Sequence, residues 1–269
     1  MNVVSRTVRL YSDSVSVPLF AAARHLSLMR MLVQRELANR TSGTFLGRLW
    51  PLLQPALQIV GYWFMFAVVF DMRTLRGPGF VQYMLLGILP WMCFSEVLTR
   101  ATNVFREFSA LYSRSPFPLE VLPSVVMVIP ALVYTPVLAL TALWLLGSAA
   151  ALKALVIIPL LLIWALPILL LCAVTGLFVR DFGQALPFAL TLLMYVTPIL
   201  YFPDMLPAAI KDTMWLNPMA DWMAVIHTTL SGEAVPLNSV WRLLALWLLL
   251  LAPAWLWFRR TLLHVRELL

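Results

Sequence analysis

Long apolar segments recur along this chain and are separated by shorter polar stretches. Six of them hold about 20 mostly apolar residues, the length that an α-helix needs to cross the hydrocarbon core of a bilayer. Prolines inside these segments predict kinks, because neighbouring helices can satisfy the carbonyls that a proline leaves without a donor. The pattern predicts an all-α integral membrane bundle with six spanning helices, at residues 52–70, 80–98, 122–146, 155–179, 184–202 and 240–258.

A basic segment precedes the first span. Between residues 19 and 40, apolar side chains recur at helical spacing and are interrupted by Arg24, Arg30, Arg35 and Arg40. This pattern predicts an amphipathic helix that lies in the membrane interface on the cytoplasmic side. The alternative is a solvated basic helix that only follows the tendency of basic residues to stay inside, and the two interpretations are compatible.

Two connections are long enough to carry structure of their own. The segment 99–123 mixes apolar positions at helical spacing with charges, which predicts a cytoplasmic helix. The segment 203–239 holds two apolar stretches too short to span, which we expect to be short helices dipping into the outer leaflet. Because the chain shows no repeat and no low-complexity linker, we expect residues 1–269 to form a single membrane domain, with the bundle at 52–258.

The distribution of basic residues predicts the orientation. Of the 19 Lys and Arg residues, 14 lie before the first span, after the last span or in connections on that same side, and five lie on the opposite side. Because basic residues mark the cytoplasmic face, both termini are predicted to be cytoplasmic. Composition agrees with a multi-pass membrane protein, since 62% of the residues are hydrophobic and 12% are charged.

No motif of an enzyme active site is present in the sequence. The glycine-rich loop that holds nucleotide phosphates is missing, and the only lysines, Lys153 and Lys211, are both predicted to lie outside. His25, His227 and His264 do not have the spacing of metal ligands, and no nucleophile elbow occurs. We therefore expect a transport subunit that is not itself an enzyme and that binds no cofactor, metal or nucleic acid. A membrane-embedded transferase that modifies glycans is the alternative.

Neutral polar and aromatic side chains form a stripe on the first and on the fifth predicted span. Such stripes can be hydrogen-bonding contacts between helices, or they can line a path for a large hydrated substrate such as a sugar chain. Both hypotheses stay open at this point. The candidate substrate path consists of Gln54, Gln58, Tyr62, Phe66, Gln184, Phe188, Thr191, Tyr195 and Tyr201.

Six short motifs occur in an order and spacing that are typical of one family. They are LGRLWPLLQP from Leu46, LPWMCFSEVL from Leu89, SPFPLEVLPSV from Ser115, VRDFGQ from Val179, TPILYFPDMLP from Thr197 and WLNPMADW from Trp215. Each motif is weak alone, but their combination is specific, and the match covers nearly the whole chain from about Leu32 onward. The chain resembles the membrane subunit of ABC-2 type exporters, most closely the branch that exports capsular polysaccharide, O-antigen or teichoic acid.

The resemblance implies partners. It implies a homodimer docked on two copies of a separate ABC ATPase subunit, which would hold the ATP and Mg, in the bacterial cytoplasmic (inner) membrane. It further implies a lipid-linked polysaccharide as cargo, moved through a channel between the two copies and surrounded by membrane lipids. Export proteins of the periplasm or outer membrane stay open as further partners. Another lipid or a drug stays open as an alternative cargo.

Two further groups of residues receive expected roles. Force from ATP hydrolysis must enter through cytoplasmic surface, and the candidate coupling surface is Arg100, Asn103, Arg106, Glu107, Tyr112 and Arg114. Arg40, Arg48 and Trp50 are candidate anchors at the membrane interface, where basic and tryptophan side chains are favoured. Gly43 and Gly47 are predicted to form the sharp corner between the interfacial helix and the first span.

Overall fold

The computed structural model describes residues 24–41, 43, 45–72, 78–109, 118–262 and 265. Every regular element in that part of the chain is helical. Five of these helices are long and apolar enough to cross a membrane: Trp50–Val69, Gly79–Ala101, Leu119–Leu146, Ser148–Phe178 and Leu237–Leu262. The all-α membrane fold predicted from the sequence is confirmed.

The basic segment folds as helix α1, Leu26–Thr41. Its buried residues, Leu32 and Val33, lie on the side that packs against the helix Leu122–Leu146. Leu26 and Met31 are exposed, so α1 also presents apolar side chains away from the protein. The location of α1 in a membrane interface stays a prediction, and residues 19–23 of the predicted helix lie outside the described residues.

The chain turns sharply between α1 and the first span. Gly43 and Gly47 have φ angles of 74° and 52°, in the left-handed region that glycine adopts without steric penalty. A 3₁₀ turn, Gly47–Leu49, then leads into α2, Trp50–Trp63, which continues as the π-helix Phe64–Val69. Pro51 lies in the first turn of α2, where its missing N–H leaves no helical hydrogen bond unmade.

Three spanning helices form the core. They are α3 (Pro78–Ala101), α5 (Leu122–Leu146) and α6 (Ser148–Phe178), and each packs against the other two. A short helix, α4 (Val104–Glu107), lies in the connection from α3 to α5, which also contains the 3₁₀ turn Leu119–Val121. The three core helices are apolar on most faces, which is typical of helices that are surrounded by other protein.

The fifth predicted span is shorter than expected. It folds as α7, Phe182–Val196, whose 15 residues extend about 22 Å at ~1.5 Å per residue, against a hydrocarbon core of about 30 Å. The helix ends where Asn217 donates to the Thr197 hydroxyl at 3.0 Å and Tyr83 donates to the Pro198 carbonyl at 2.8 Å. Residues 197–202 are therefore not helical, and they connect α7 to the next segment.

The segment 203–239 contains one substantial helix instead of the two predicted. Its first part is a series of short turns, Pro203–Met205, α8 (Ala208–Lys211) and Met214–Leu216. Its second part is α9, Pro218–Ser231, which begins where the Asn217 side chain accepts from Met219 N at 3.0 Å. Because α9 packs against α3, α6 and the last helix, α10 (Leu237–Leu262), it belongs to the bundle rather than to a free membrane surface.

Candidate functional site

A polar cavity of about 630 Å³ lies between α2, α3 and α5, beside the last turn of α1. The α2 face of the cavity presents the amides of Gln54 and Gln58, the phenol of Tyr62 and the indole of Trp50. The opposite wall is polar as well. The remaining lining residues are Arg40, Pro51, Pro55, Ile88, Trp91, Met92, Ser95, Glu96, Thr99, Arg100, Val133, Tyr134 and Met194.

This lining is chemically suited to a hydrated polymer. Amide and hydroxyl groups can exchange hydrogen bonds with substrate hydroxyls, and the exposed Trp50 indole offers apolar surface of the kind on which sugar rings stack. The first predicted stripe therefore lines a cavity, as the substrate-path hypothesis requires.

The second predicted stripe lies elsewhere. Gln184, Phe188, Thr191 and Tyr195 are exposed on α7, and the cavity lining contains none of them. The Phe188 and Tyr195 residues are 68% and 59% exposed. Within one chain the two stripes do not share a cavity, so α7 presents its stripe to lipid or to another protein surface.

The two remaining residues of the candidate path, Phe66 and Tyr201, make contacts outside the cavity. The Phe66 ring packs against Phe70 and Phe80, with centroid distances of 5.7 and 6.4 Å. The Tyr201 hydroxyl donates to the Val196 carbonyl at 2.9 Å, beside the end of α7. Neither residue lines the cavity.

A chain of alternating charges lies where α1 meets the cavity. Arg40 donates to Glu96 at 2.7 Å and its Nε lies 3.7 Å from Glu36. Glu36 also accepts from Arg100 at 2.6 Å, and Arg100 lies 4.0 Å from Glu107. Glu36 and Arg40 belong to α1, Glu96 and Arg100 to α3, and Glu107 to α4. These five residues, which we call the charge network, therefore connect three elements.

Most of the charge network is partly buried. The side chains of Glu36, Arg40, Glu96 and Arg100 are 13–26% exposed, whereas that of Glu107 is 44% exposed. Partial desolvation raises the pKa of Glu107, and the nearby Arg100 acts in the opposite direction. Hydrogen bonds that involve a charged group contribute about 1.5–3 kcal/mol each. The network therefore stabilises the contact between α1 and the second span.

Helix α4, at the centre of the candidate coupling surface, is fixed on α6. Arg106 donates from its guanidinium to the Gly176 carbonyl at 2.7 Å, and the Asn103 carbonyl accepts from the backbone amides of Arg106 and Glu107. A Cβ at Gly176 would lie 2.1 Å from the Thr102 carbonyl oxygen. Only glycine permits this close approach of α6 to the connection between α3 and α4.

Comparison with known proteins identifies the family. Residues 27–230 match the ABC-2 type transporter family. The chain belongs to this family. It is 30% identical over 230 residues to the O-antigen export system permease protein RfbA of Myxococcus xanthus, covering 81% of this chain and 86% of that protein.

Two further relatives of this ABC-2 chain agree with that match. The O-antigen export system permease protein RfbA of Klebsiella pneumoniae is 26% identical over 200 residues, covering 72% of this chain and 76% of that protein. The polysialic acid transport protein KpsM of Escherichia coli is 26% identical over 211 residues, covering 76% of this chain and 79% of that protein. The resemblance read from the sequence motifs is confirmed.

The predicted anchors and coupling residues of this ABC-2 chain divide into three groups. Arg40 and Trp50 line the cavity, and Arg40 is bonded within the protein, so its role as a membrane anchor stays a prediction. The candidate coupling residues Arg100 and Glu107 belong to the charge network. The side chain of Arg48, together with all of Tyr112 and Arg114, lies outside the described part of the chain.

Sequence reasoning missed two residues of the charge network, Glu36 and Glu96. The spacing of four between Glu36 and Arg40 is a local signal for an ion pair on one helix face. No local signal exists for the bond from Arg40 to Glu96, because these residues are 56 positions apart. That pairing depends on how α1 folds back against α3.

Proposed function

We propose that this chain is the membrane subunit of an ATP-driven exporter that moves a lipid-linked polysaccharide across the bacterial inner membrane. The observation that carries the proposal is the likeness to relatives named for O-antigen export and for polysialic acid transport, over 72–81% of this chain. The cavity lined by amides, hydroxyls and indoles is a fitting surface for such a cargo. Both termini then lie in the cytoplasm, together with α1 and α4.

The cargo path is proposed to form between two copies of the chain. Only 11% of the residues in the apolar stretch of the first span are buried, which leaves α2 available for a partner surface. The exposed stripe of α7 is a second unpartnered surface. If α2 of one copy faces α7 of the other, Tyr62 and Tyr195 line one channel although they are separated within a chain.

The energy is proposed to come from a separate ATPase subunit that binds ATP and Mg. The surface that transmits the movement would be α4 together with the following cytoplasmic residues. Movement of α4 would reach the cavity by two routes. One is the bond from Arg106 to α6, and the other is the charge network, whose residues Arg40, Glu96 and Arg100 line the cavity wall.

Export from cells tests the function. A strain that lacks this chain should accumulate its glycan inside, and expression of the chain should restore surface glycan. Combined Gln54→Leu and Gln58→Leu substitutions should lower surface glycan per assembled subunit at least several-fold, because the cavity loses two amides. Leu57→Ala is the matched control, since Leu57 is exposed on the same helix outside the cavity lining.

The result can contradict the proposal in two ways. If the strain without the chain keeps normal surface glycan and shows no internal accumulation, the cargo is not a polysaccharide. If the amide variant assembles and exports as well as the Leu57→Ala control, the cavity is not part of the cargo path.

A further inference from the structure

A second cavity, of about 610 Å³, lies on another side of the bundle, between α6, α9 and α10. Its lining is apolar apart from Lys153 and Thr229, which lie together because the Lys153 ammonium donates to the Thr229 carbonyl. Val156 and Leu160 of α6, which form part of it, are 55% and 51% exposed, so the cavity opens to the surroundings of the bundle. We call it the α6–α10 groove.

The walls of the α6–α10 groove are held by hydrogen bonds between the two helices. The Trp164 indole donates from Nε1 to the Leu243 carbonyl of α10 at 2.9 Å. In the opposite direction, the Trp247 indole donates to the Ile163 carbonyl of α6 at 3.0 Å. Both indoles line the groove, so its shape does not depend on an occupant. A preformed groove binds its occupant with less loss of conformational freedom.

A single cation, Lys153, lines one end of the groove. Its ammonium donates to the Thr229 carbonyl at 2.8 Å, which leaves two of its three N–H donors for other acceptors. In the described part of the chain, no carboxylate forms an ion pair with Lys153. The Lys153 amino group is thus held at the end of the groove, with donors available to an anion.

The position of Lys153 along α6 corresponds to the level of lipid head groups. With 31 residues, α6 extends about 46 Å, whereas the hydrocarbon core is about 30 Å thick. Roughly 8 Å of the helix therefore projects at each side if it is centred. Lys153 is the sixth residue of α6, about 7.5 Å from its start at ~1.5 Å per residue. The apolar lining then follows it towards the membrane centre.

We propose that the α6–α10 groove binds a resident anionic phospholipid, with an acyl chain along the apolar lining and the phosphate on Lys153. The observation that selects this occupant is charge complementarity at the head-group level joined to an apolar groove below it. The apolar face of another helix would fill the groove but would bring no anion to Lys153. Because α9 forms one wall, the lipid would also contact the segment 203–239, to which α9 belongs.

Native mass spectrometry of the purified protein tests the proposal, with phosphatidylglycerol as the anionic probe and phosphatidylethanolamine as the comparison. Lys153→Gln should reduce the retained ratio of phosphatidylglycerol to phosphatidylethanolamine about fivefold, the effect of one basic residue near an anionic head group. Lys211→Gln is the matched control, because Lys211 lies outside the groove lining. Leu160→Trp fills the groove and should remove the retained lipid, whereas Leu249→Trp, on the exposed surface of α10, should not.

The outcomes separate the possible occupants. The proposal is overturned if Leu160→Trp elutes as folded protein yet retains as much phosphatidylglycerol as Leu249→Trp. It is also overturned if Leu160→Trp instead displaces a polyprenyl phosphate or changes the number of copies in the assembly. Should Leu160→Trp fail to fold, Val156→Trp fills the same groove from the preceding turn and is judged by the same criteria. The assay does not involve glycan export, so its result is independent of the proposed cargo.

Discussion

Helices α1 and α9 are attached to the spanning bundle by different forces. Helix α1 buries only Leu32 and Val33 among its described residues, and its strongest contacts with α3 are the alternating charges of the charge network. Helix α9 buries seven of its 14 residues. Its contacts with the rest of the bundle include the ion pair between Arg242 and Asp221 and the stacking of His227 on Tyr83.

The difference indicates which end of the bundle can rearrange. In the charge network, Glu36 faces both Arg40 and Arg100, so a sliding movement of α1 can exchange one ion pair for another without leaving a charge unpaired. Around α9, the His227 ring stacks on Tyr83 at a centroid distance of 3.7 Å, and a Cβ at Gly87 would lie 3.2 Å from its Nε2. Side chains that are packed this closely fit together in only one arrangement. We therefore expect α1 to move in the working cycle and α9 to stay in place.

The largest effect is expected from Gly176→Ala, because a methyl group there would meet the backbone carbonyl of Thr102 at 2.1 Å. Backbone must move, so we expect a loss of about 3 kcal/mol or more and little assembled protein. Gly61→Ala is the matched control, since a Cβ at this helical glycine of α2 has nothing within 4 Å. The two variants are compared by thermal unfolding in detergent and by the yield of assembled protein. If the two variants are equally stable, the close packing of Gly176 against Thr102 is not required for stability, and α4 is not fixed on α6.

A charge reversal at Arg40 tests whether the charge network matters for coupling. Arg40→Glu places a third carboxylate between Glu36 and Glu96. It removes the ion pair with Glu36 and the hydrogen bond to Glu96, which contributes about 1.5–3 kcal/mol. We expect lower stability, and ATP hydrolysis by the partner that no longer drives export. Adding Glu96→Arg restores an opposite pair and should recover most of both properties. A reversal variant that keeps wild-type glycan export per ATP hydrolysed would contradict the assignment.

Removal of the cation beside α9 should act on stability alone. Asp221 is only 8% exposed in its side chain and is bonded by two Arg242 nitrogens, so Arg242→Gln leaves a buried carboxylate without its cation. We expect a loss of about 1–2 kcal/mol, moderated because Arg242 is half exposed. Export per assembled subunit should not change. The double variant with Asp221→Asn removes the unpaired charge and should regain stability. An Arg242→Gln protein of normal stability but impaired export would reverse the contrast between α1 and α9.

The sequence predicts most spans of this fold because the information is local. The apolar segments at α3, α5, α6 and α10 are long enough to specify spanning helices by themselves, and the prolines inside α5 and α6 do not end them. The corner before α2 was also predictable, since glycines at Gly43 and Gly47 permit left-handed φ angles. In the candidate site, the stripe on α2 could be predicted from helical spacing.

The rest depends on contacts between distant parts of the chain. Helix α7 ends early because Thr197 and Pro198 are held by Asn217 and Tyr83, which lie 20 and 115 positions away along the chain. A proline alone did not indicate this end, since prolines elsewhere lie within intact helices. The charge network likewise joins residues of α1 to residues of α3, so helical periodicity could not reveal it. For the same reason, sequence spacing could not show that the α2 and α7 stripes are separated.

The smallest effect at neutral pH, and the most specific, is expected from His227→Phe. Burial lowers the pKa of His227 to about 3, and within the described residues its Nε2 has no hydrogen-bond partner. Phenylalanine keeps an aromatic ring for Tyr83 and removes the unsatisfied nitrogen, so stability at pH 7 should change by less than about 1.5 kcal/mol. The unfolded histidine takes up a proton below about pH 6.5 while the folded one stays neutral. The wild-type protein should therefore lose up to about 1.4 kcal/mol of stability per pH unit as the pH falls from 6.5 towards 3.

In His227→Phe this part of the pH dependence should be absent, so the variant becomes the more stable protein in acid. Thermal unfolding between pH 7 and pH 4.5 measures the two slopes. Tyr83→Phe is the control, because it removes the bond to the Pro198 carbonyl but keeps the stacked ring, and should lower stability by the same amount at every pH. If His227→Phe has the wild-type slope, His227 takes up its proton in the folded state. The packing around α9 would then accommodate a protonated histidine. Helix α9 would therefore not be more rigidly held than α1, whose ion pairs can exchange.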